Sequence, residues 1–377
     1  MWGNTVAFGR TIAAGALFLS GMALAALAPT SPVGAGSNAS PVSPSATPVR
    51  PLSVVEPHWA FNDPRGIASD GTHVWVANTG DNSVIALNAS NGSWAYTLSN
   101  PSGGGYSGNG IVSPRAIAFG ANHVWVANGL SSVSEFNASN GNLVKILQLA
   151  PFLVGEVIGT PMAITSDGTD VWAANDSNSV IELNASTGAL VRVISGSNYG
   201  FDFPRAITTD GTDVWVGNCI GNSVTEFSAS TGQFVRLIKG VSYKLNFPDA
   251  ISWGGSYVWV GNQRGNSVTE LSASTGALVR VIPHTSSNDF DSPDAIASDG
   301  THVWVANSRG NSVTELSASS GAVASLLTGA IYGFEVPSAI AYATTGGVEH
   351  VWVANAARSV TELKASNGQF VRLIKGS

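Results

Sequence analysis

The sequence predicts an all-β chain made of seven copies of one unit, and three observations carry that reading. The pair Val-Trp recurs seven times, at Trp75, Trp125, Trp172, Trp215, Trp259, Trp304 and Trp352, spaced by 43 to 50 residues. Every copy opens on Pro, any residue, Ala or Gly, then Ile, with the prolines at Pro64, Pro114, Pro161, Pro204, Pro248, Pro293 and Pro337. Each unit also holds several short apolar runs separated by turn residues. A period in the mid-forties with several strands per unit indicates a β-propeller, here with seven blades of four antiparallel strands. Propellers serve as enzymes, ligand binders and scaffolds, so function has to be argued from a site.

In chain order, residues 1–28 read as a signal peptide. Arg10 is the only charge before an uncharged run from Thr11 to Ala28, and Ala-Leu-Ala steps at 23–25 and 26–28 offer small residues for cleavage. The run is about long enough to span a bilayer at ~1.5 Å per residue, so a retained anchor is the alternative. Residues 29–51 hold six prolines and five serines with Arg50 as the sole charge, which is the composition of a disordered linker. Residues 52–377 are assigned to the propeller, with Leu52 to Val55 as a candidate edge strand near the ring seam.

Within a unit, strand A follows the proline, as in Gly66-Ile67-Ala68-Ser69. An Asp-Gly-Thr turn comes next, as at Asp70-Gly71-Thr72, where Gly accepts positive φ. Strand B is Val-Trp-Val-Ala-Asn or a close variant, and strand C opens on Ser-Val. A second turn ends on a Gly such as Gly188, and strand D follows, as in Leu190 to Ile194. Strand B is apolar on both faces because each blade is expected to pack against two neighbours. Burying a Trp there, at ~150–250 Å² and ~25 cal/mol/Å², contributes roughly 4–6 kcal/mol as an upper bound.

One pattern predicts the C–D pairing. Glu135, Glu182, Glu226, Glu270 and Glu362 on strand C are each followed ten residues later by Lys145, Arg192, Arg236, Arg280 and Arg372. Blade one lacks both members, with Ala86 and Tyr96, whereas blade six sets Glu315 opposite Ser325. These are read as register-setting cross-strand pairs of ~0.2–1 kcal/mol.

Charged residues make up 11% of the 377, and the net charge is −7 with no basic block, so neither nucleic acid nor an anionic membrane surface is an expected partner. Cys219 is the only cysteine, which excludes an intramolecular disulfide.

The strand B phrase resembles a known repeat. Trp-Val-Ala-Asn at 75–78, 125–128, 304–307 and 352–355 is similar to the Tyr-Val-Thr-Asn core of YVTN-type propeller repeats, with variants at 172–175, 215–218 and 259–262. The whole unit over 64–377 also resembles NHL-type and streptogramin-lyase-like repeats. The first resemblance implies an exported or surface-layer binding or scaffold protein. The second implies a lyase that opens a cyclic depsipeptide by elimination, using a His, a Glu and a divalent metal near the central channel. Those lyases tend to carry Phe-Thr-Glu after the strand B Trp, where this chain has Val-Ala-Asn.

The least uniform position in the repeat is the residue after each proline: Arg65, Arg115, Met162, Arg205, Asp249, Asp294 and Ser338. Fold-level analogy puts it at the channel mouth. Packing alone does not require such variation, so Arg65, Arg115, Arg205, Asp249 and Asp294 are the candidate ligand-binding residues, with pairing around the rim as the plainer reading. A small polar ligand with an anionic group is the expected occupant. Tyr106, in a Gly-rich loop, is a further candidate for stacking a cell-wall glycan. The aromatics three residues before the proline, such as Phe61, Phe201, Phe290 and Phe334, are expected to pack over the blade tops. His73, His123, His302 and His350 recur just before strand B and read as solvated turn residues on the opposite face. His58 and His284 are the histidines expected on the mouth side and the candidates for catalysis. No cofactor is expected; Asp289, Asp291 and Asp294 could ligate Ca²⁺ or Mg²⁺ but lack the spacing of a calcium loop.

The reading that follows is a secreted, cell-surface or periplasmic seven-bladed propeller, monomeric, acting as a non-enzymatic binding or surface scaffold for a small ligand, a cell-wall glycan or a protein partner. The alternative is a lyase or lactonase acting at the mouth through His58, His284 and a carboxylate with a divalent metal.

Overall fold

The computed structural model describes residues 59–99, 110–149 and 159–376. The signal and linker segments, Leu52 to Val55, His58 and Tyr106 lie outside the described residues. The chain separates into Met1–Val49 and Arg50–Ser377, and all described residues belong to the second unit.

Seven four-stranded antiparallel sheets form, each with strand order A-B-C-D and each drawn from a single repeat. Blade one comprises Pro64–Ser69, His73–Asn78, Ser83–Asn88 and Trp94–Ser99. Strand A of every blade packs against strand A of the blades before and after it, and Pro64–Ser69 meets Pro337–Thr345 to close the ring. Strand A is therefore innermost and strand D outermost.

Among the described residues no strand is exchanged at the seam. Closure comes from packing: Phe61 is fully buried in one cluster with Trp352, Val360 and Ile374 of blade seven. Trp59 meets Phe61 edge-on at 5.4 Å, and the Ser338 hydroxyl donates to the Pro64 carbonyl. A Cβ at Gly376 would collide with the Ala60 backbone, so the two ends of the described ring lie against each other.

The seven strand B tryptophans are 0–2% exposed. Each indole reaches beyond its own blade. Trp75 packs with Ile117, Val124 and Val126 of blade two, and Trp352 packs with Ile67, Val76 and Ile85 of blade one. The Asp-Gly-Thr turns take the expected geometry, with Gly71 at φ 82°. Phe61, Phe201, Phe290 and Phe334 are buried, as packing over the blade tops requires.

The C–D register matches the charge pattern: Glu182 faces Arg192, Glu226 faces Arg236, Glu270 faces Arg280 and Glu362 faces Arg372. Blade six resolves its exception, because the Ser325 hydroxyl donates to Glu315 at 2.6 Å. Blade two departs from the expected pairing. Lys145 faces Glu135 in register, but its Nζ donates to the Gly188 carbonyl of blade three, and His123 takes the carboxylate at 2.7 Å.

The carboxylates of these pairs are not surface groups. All six strand C glutamates are 0–3% exposed, whereas the four arginines are about 30% exposed. Each guanidinium Nε comes within 2.5–3.2 Å of its carboxylate. The N–H is not aimed at the oxygen, and several carboxylate oxygens have no hydrogen bond. Burial outweighs the nearby positive charge, and Glu226, Glu270 and Glu362 are each pushed up to about 7.

The recurrent histidines also depart from expectation. They are 13–27% exposed at the side chain rather than solvated, and each reaches a carboxylate: Asp70 for His73, Glu135 for His123, Asp299 for His302 and Glu362 for His350. The ring folds back beside the Trp two residues on, with centroids 5.6–6.4 Å apart. Desolvation then lowers the pKa of His350, with Arg372 and Lys364 adding to the effect.

Candidate functional site

The repeat proline starts strand A beside the last residue of strand B, as in the pairing of Pro64 with Asn78. A register shift follows at once, between Pro64 and Gly66, so the intervening residue bulges out of the ladder. The same irregularity recurs at the start of strand A in the other blades. Seven bulged residues are thereby aimed into one central cavity of about 520 Å³, lined by Arg65, Arg115, Met162, Arg205, Asp249, Asp294 and Ser338. Below them the lining turns apolar, through the Ala or Gly and then the Ile of the repeat phrase. The cavity is thus a polar collar over an aliphatic throat.

The collar is held by bonds between blades. The residue before the repeat proline has positive φ at Asp63, Ser113, Phe203, Phe247, Ser292 and Val336. Non-Gly residues in that region carry strain of order 1–3 kcal/mol each. An asparagine from the preceding blade compensates by accepting the strained N–H. Asn82 takes Ser113, Asn178 takes Phe203, Asn222 takes Phe247, Asn266 takes Ser292 and Asn311 takes Val336, at 2.6–3.1 Å. The asparagine that closes each strand B is fully buried as well, and in blades four to seven its amide donates to hydroxyls of strand C.

Among the described residues three cations and three anions line the collar: Arg65, Arg115 and Arg205 against Asp63, Asp249 and Asp294. Four of them pair. Arg65 Nε lies 2.8 Å from Asp63, and Arg205 Nε lies 2.8 Å from Asp249. Asp249 is the more buried anion, and burial, reinforced by the nearby Asp294 charge, pushes its carboxyl up to about 6 despite Arg205. Its second oxygen accepts Gln263 Nε2 at 3.1 Å, and the same amide donates to Asp294 Oδ1 at 2.7 Å. Ser292 Oγ also donates to Asp294 Oδ1, at 3.2 Å. Arg115 is exposed and has no hydrogen bond or ion pair to any described residue.

The site contains residues that the sequence reading did not nominate. Asp63, Thr79 and Gln263 also line the cavity. Cys219 is buried beneath it, with Sγ 3.2 Å from the Pro248 carbonyl and 3.6 Å from Asp249 Oδ1. Burial, and then the Asp249 charge, raise its thiol pKa. A sequence signal for this second ring exists. The residue after the strand B Asn is Thr79, Gly129, Asp176, Cys219, Gln263, Ser308 or Ala356, and it varies more than the residue after the proline.

Other nominated residues are not brought to the site. His284 follows the outermost strand of blade five, is exposed, and does not line the cavity. Asp289 and Asp291 lie in the approach to blade six and do not join Asp294. Among the described residues no group of three or more His, Cys, Asp or Glu side chains is arranged to hold a metal ion. Arg264 stands on the same face, 3.9 Å above the Phe247 ring.

No family model matches the chain. No curated protein matches it either. Among solved structures it is similar to a catalytically inactive virginiamycin B lyase from Staphylococcus aureus with quinupristin, at 19% identity and a TM-score of 0.64, covering 81% of this chain and 97% of that one. It is also similar to hydrazine synthase of Kuenenia stuttgartiensis, at 16% identity and a TM-score of 0.62, covering 84% of this chain and 99% of that one. These likenesses show the propeller fold.

Proposed function

We propose that this chain is a binding propeller that takes a small polar ligand with an anionic group at the channel mouth. One observation carries the reading: seven side chains of four residue types converge on one cavity, and the cation Arg115 stands in it without a counter-ion among the described residues. Cavities of roughly 300–1,000 Å³ with a few polar groups over an apolar floor are the usual form of a small-molecule site. The YVTN-type strand B phrase supports a binding or scaffold role over catalysis. The lyase reading draws less support, because no histidine lines the described cavity. We further propose that the protein works outside the cytoplasm, exported by residues 1–28 and tethered by 29–51, as a monomer. A cell-wall glycan or a protein would be the alternative partner.

The test is calorimetric titration of small carboxylates and phosphates into the wild type, Arg115→Ala and the double variant Arg65→Ala/Arg115→Ala. Binding that falls about tenfold or more in Arg115→Ala supports the reading. Anion affinity equal in all three proteins refutes it. Turnover of a lactone or cyclic depsipeptide, lost with EDTA, would favour the lyase instead.

A further inference from the structure

We infer that the mouth recognises a dipolar molecule, with a protonated amine at one end and a carboxylate or similar anion at the other. This rests on the reading of the mouth as a ligand site and goes further, by assigning each end of the ligand to a wall.

The argument is a charge inventory. The six charged side chains of the described lining sum to zero, with Arg264 outside the lining against Phe247, and two internal ion pairs, Asp63–Arg65 and Arg205–Asp249, account for four. One cation and one anion remain without an ionic partner among the described residues: Arg115 on blade two and Asp294 on blade six. Blades two and six are three steps apart the short way round a seven-blade ring, through blades seven and one. The residual charges therefore stand on nearly opposite walls. They are too far round the ring to be neighbours, and nothing described joins them. A collar that needed only self-pairing would not leave a cation and an anion unmatched on separate walls of an open cavity.

Asp294 is built to receive a cation. Its Oδ1 is fixed by Gln263 and Ser292, whereas no hydrogen bond to Oδ2 forms among the described residues. A carboxylate held at one oxygen and free at the other is pre-organised for a single charge-assisted bond. Asp249 cannot compete, because Arg205 and Cys219 approach one of its oxygens and Gln263 holds the other. The cationic end thus meets one carboxylate oxygen, which suits an ammonium better than a bidentate guanidinium. Below the two charges the lining is Ala116 and Ile117 on one wall and Ala295 and Ile296 on the other, an aliphatic surface that suits a short methylene or peptide spacer. The fit is to separated charges, as in an ω-amino acid or a short peptide.

The experiment uses 6-aminohexanoate and diglycine as probes, each also in its N-acetylated form (anion only) and its carboxamide form (cation only). Affinity is read by calorimetry on the wild type, Arg115→Gln, Asp294→Asn and the charge swap Arg115→Asp/Asp294→Arg, each checked for an unchanged thermal midpoint. At least one free zwitterion is expected to bind the wild type about ten- to a hundredfold more tightly than either blocked form. Asp294→Asn should abolish the preference for the free amine but keep the preference for the free carboxylate, and Arg115→Gln should do the reverse. The charge swap should restore part of the affinity lost in the single variants. If the N-acetylated probe binds as well as the zwitterion and weakens in Arg115→Gln, the anion site stands and the dipolar inference is overturned. If no probe binds at millimolar concentration, the dipolar inference is overturned, while the anion titrations above still decide the broader reading.

Discussion

Replacing Glu270 by Gln should make the protein more stable, and increasingly so as pH rises. The Glu270 carboxyl is fully buried in the face of blade five, with Arg280 Nε 2.6 Å away but poorly aimed. Burial raises its pKa from the ordinary value of 4.5 to about 7 in the fold. A raised carboxyl pKa means that the folded state holds a proton the unfolded chain has already released. Between the two values the native form binds more protons, so stability falls as pH climbs from about 4.5 to about 7 and levels off above it. At ~1.36 kcal/mol per pH unit, the loss from this residue is about 3 kcal/mol at most. Glutamine keeps the shape and cannot ionise, so it removes that slope while losing the attraction to a partly solvated arginine. Urea unfolding of both proteins at about pH 5 and about pH 8 measures the difference, and the advantage of the variant should grow by about 2–3 kcal/mol between them. A difference independent of pH, or one that favours the wild type more at high pH, would show that Arg280 keeps Glu270 ionised and that burial does not dominate.

Three other perturbations test the mouth and its supports. Asn222→Ala removes the acceptor for the strained Phe247 N–H and should cost roughly 1–3 kcal/mol in a denaturant titration; Asn222→Gly, which tolerates the local φ of 47°, should lose less. Gly217→Ala would place a methyl 2.7 Å from the Pro248 carbonyl, displace the neighbouring Asp249 and lower stability by roughly 1–3 kcal/mol, seen as a lower Tm. Arg205→Met removes the charge that opposes burial of Asp249, so the Asp249 carboxyl, at about 6 in the wild type, should titrate higher by carbon-detected NMR. An unmoved titration would mean that Arg205 does not reach Asp249 in solution.

The sequence by itself determined the repeat, the blade count, the four strands and the register of the outer pair. Each of these is a periodic property, written seven times, and local spacing suffices to read it. The ring of residues after the proline was legible for the opposite reason: it is where the period breaks, and packing has no use for that break. Partnership was not legible. Which of three arginines is neutralised depends on groups from different parts of the chain, such as Asp249 for Arg205, 44 residues away in sequence. The buried state of the strand C glutamates and the recurrent histidines arises only when a blade face is covered by its neighbour. The Gln263 bridge and the asparagine links between blades join residues whose proximity is a property of the closed ring. Closure brings Arg205 to Asp249 and leaves Arg115 and Asp294 without an ionic partner among the described residues, because electrostatic partnership between blades follows distance in space and not order along the chain.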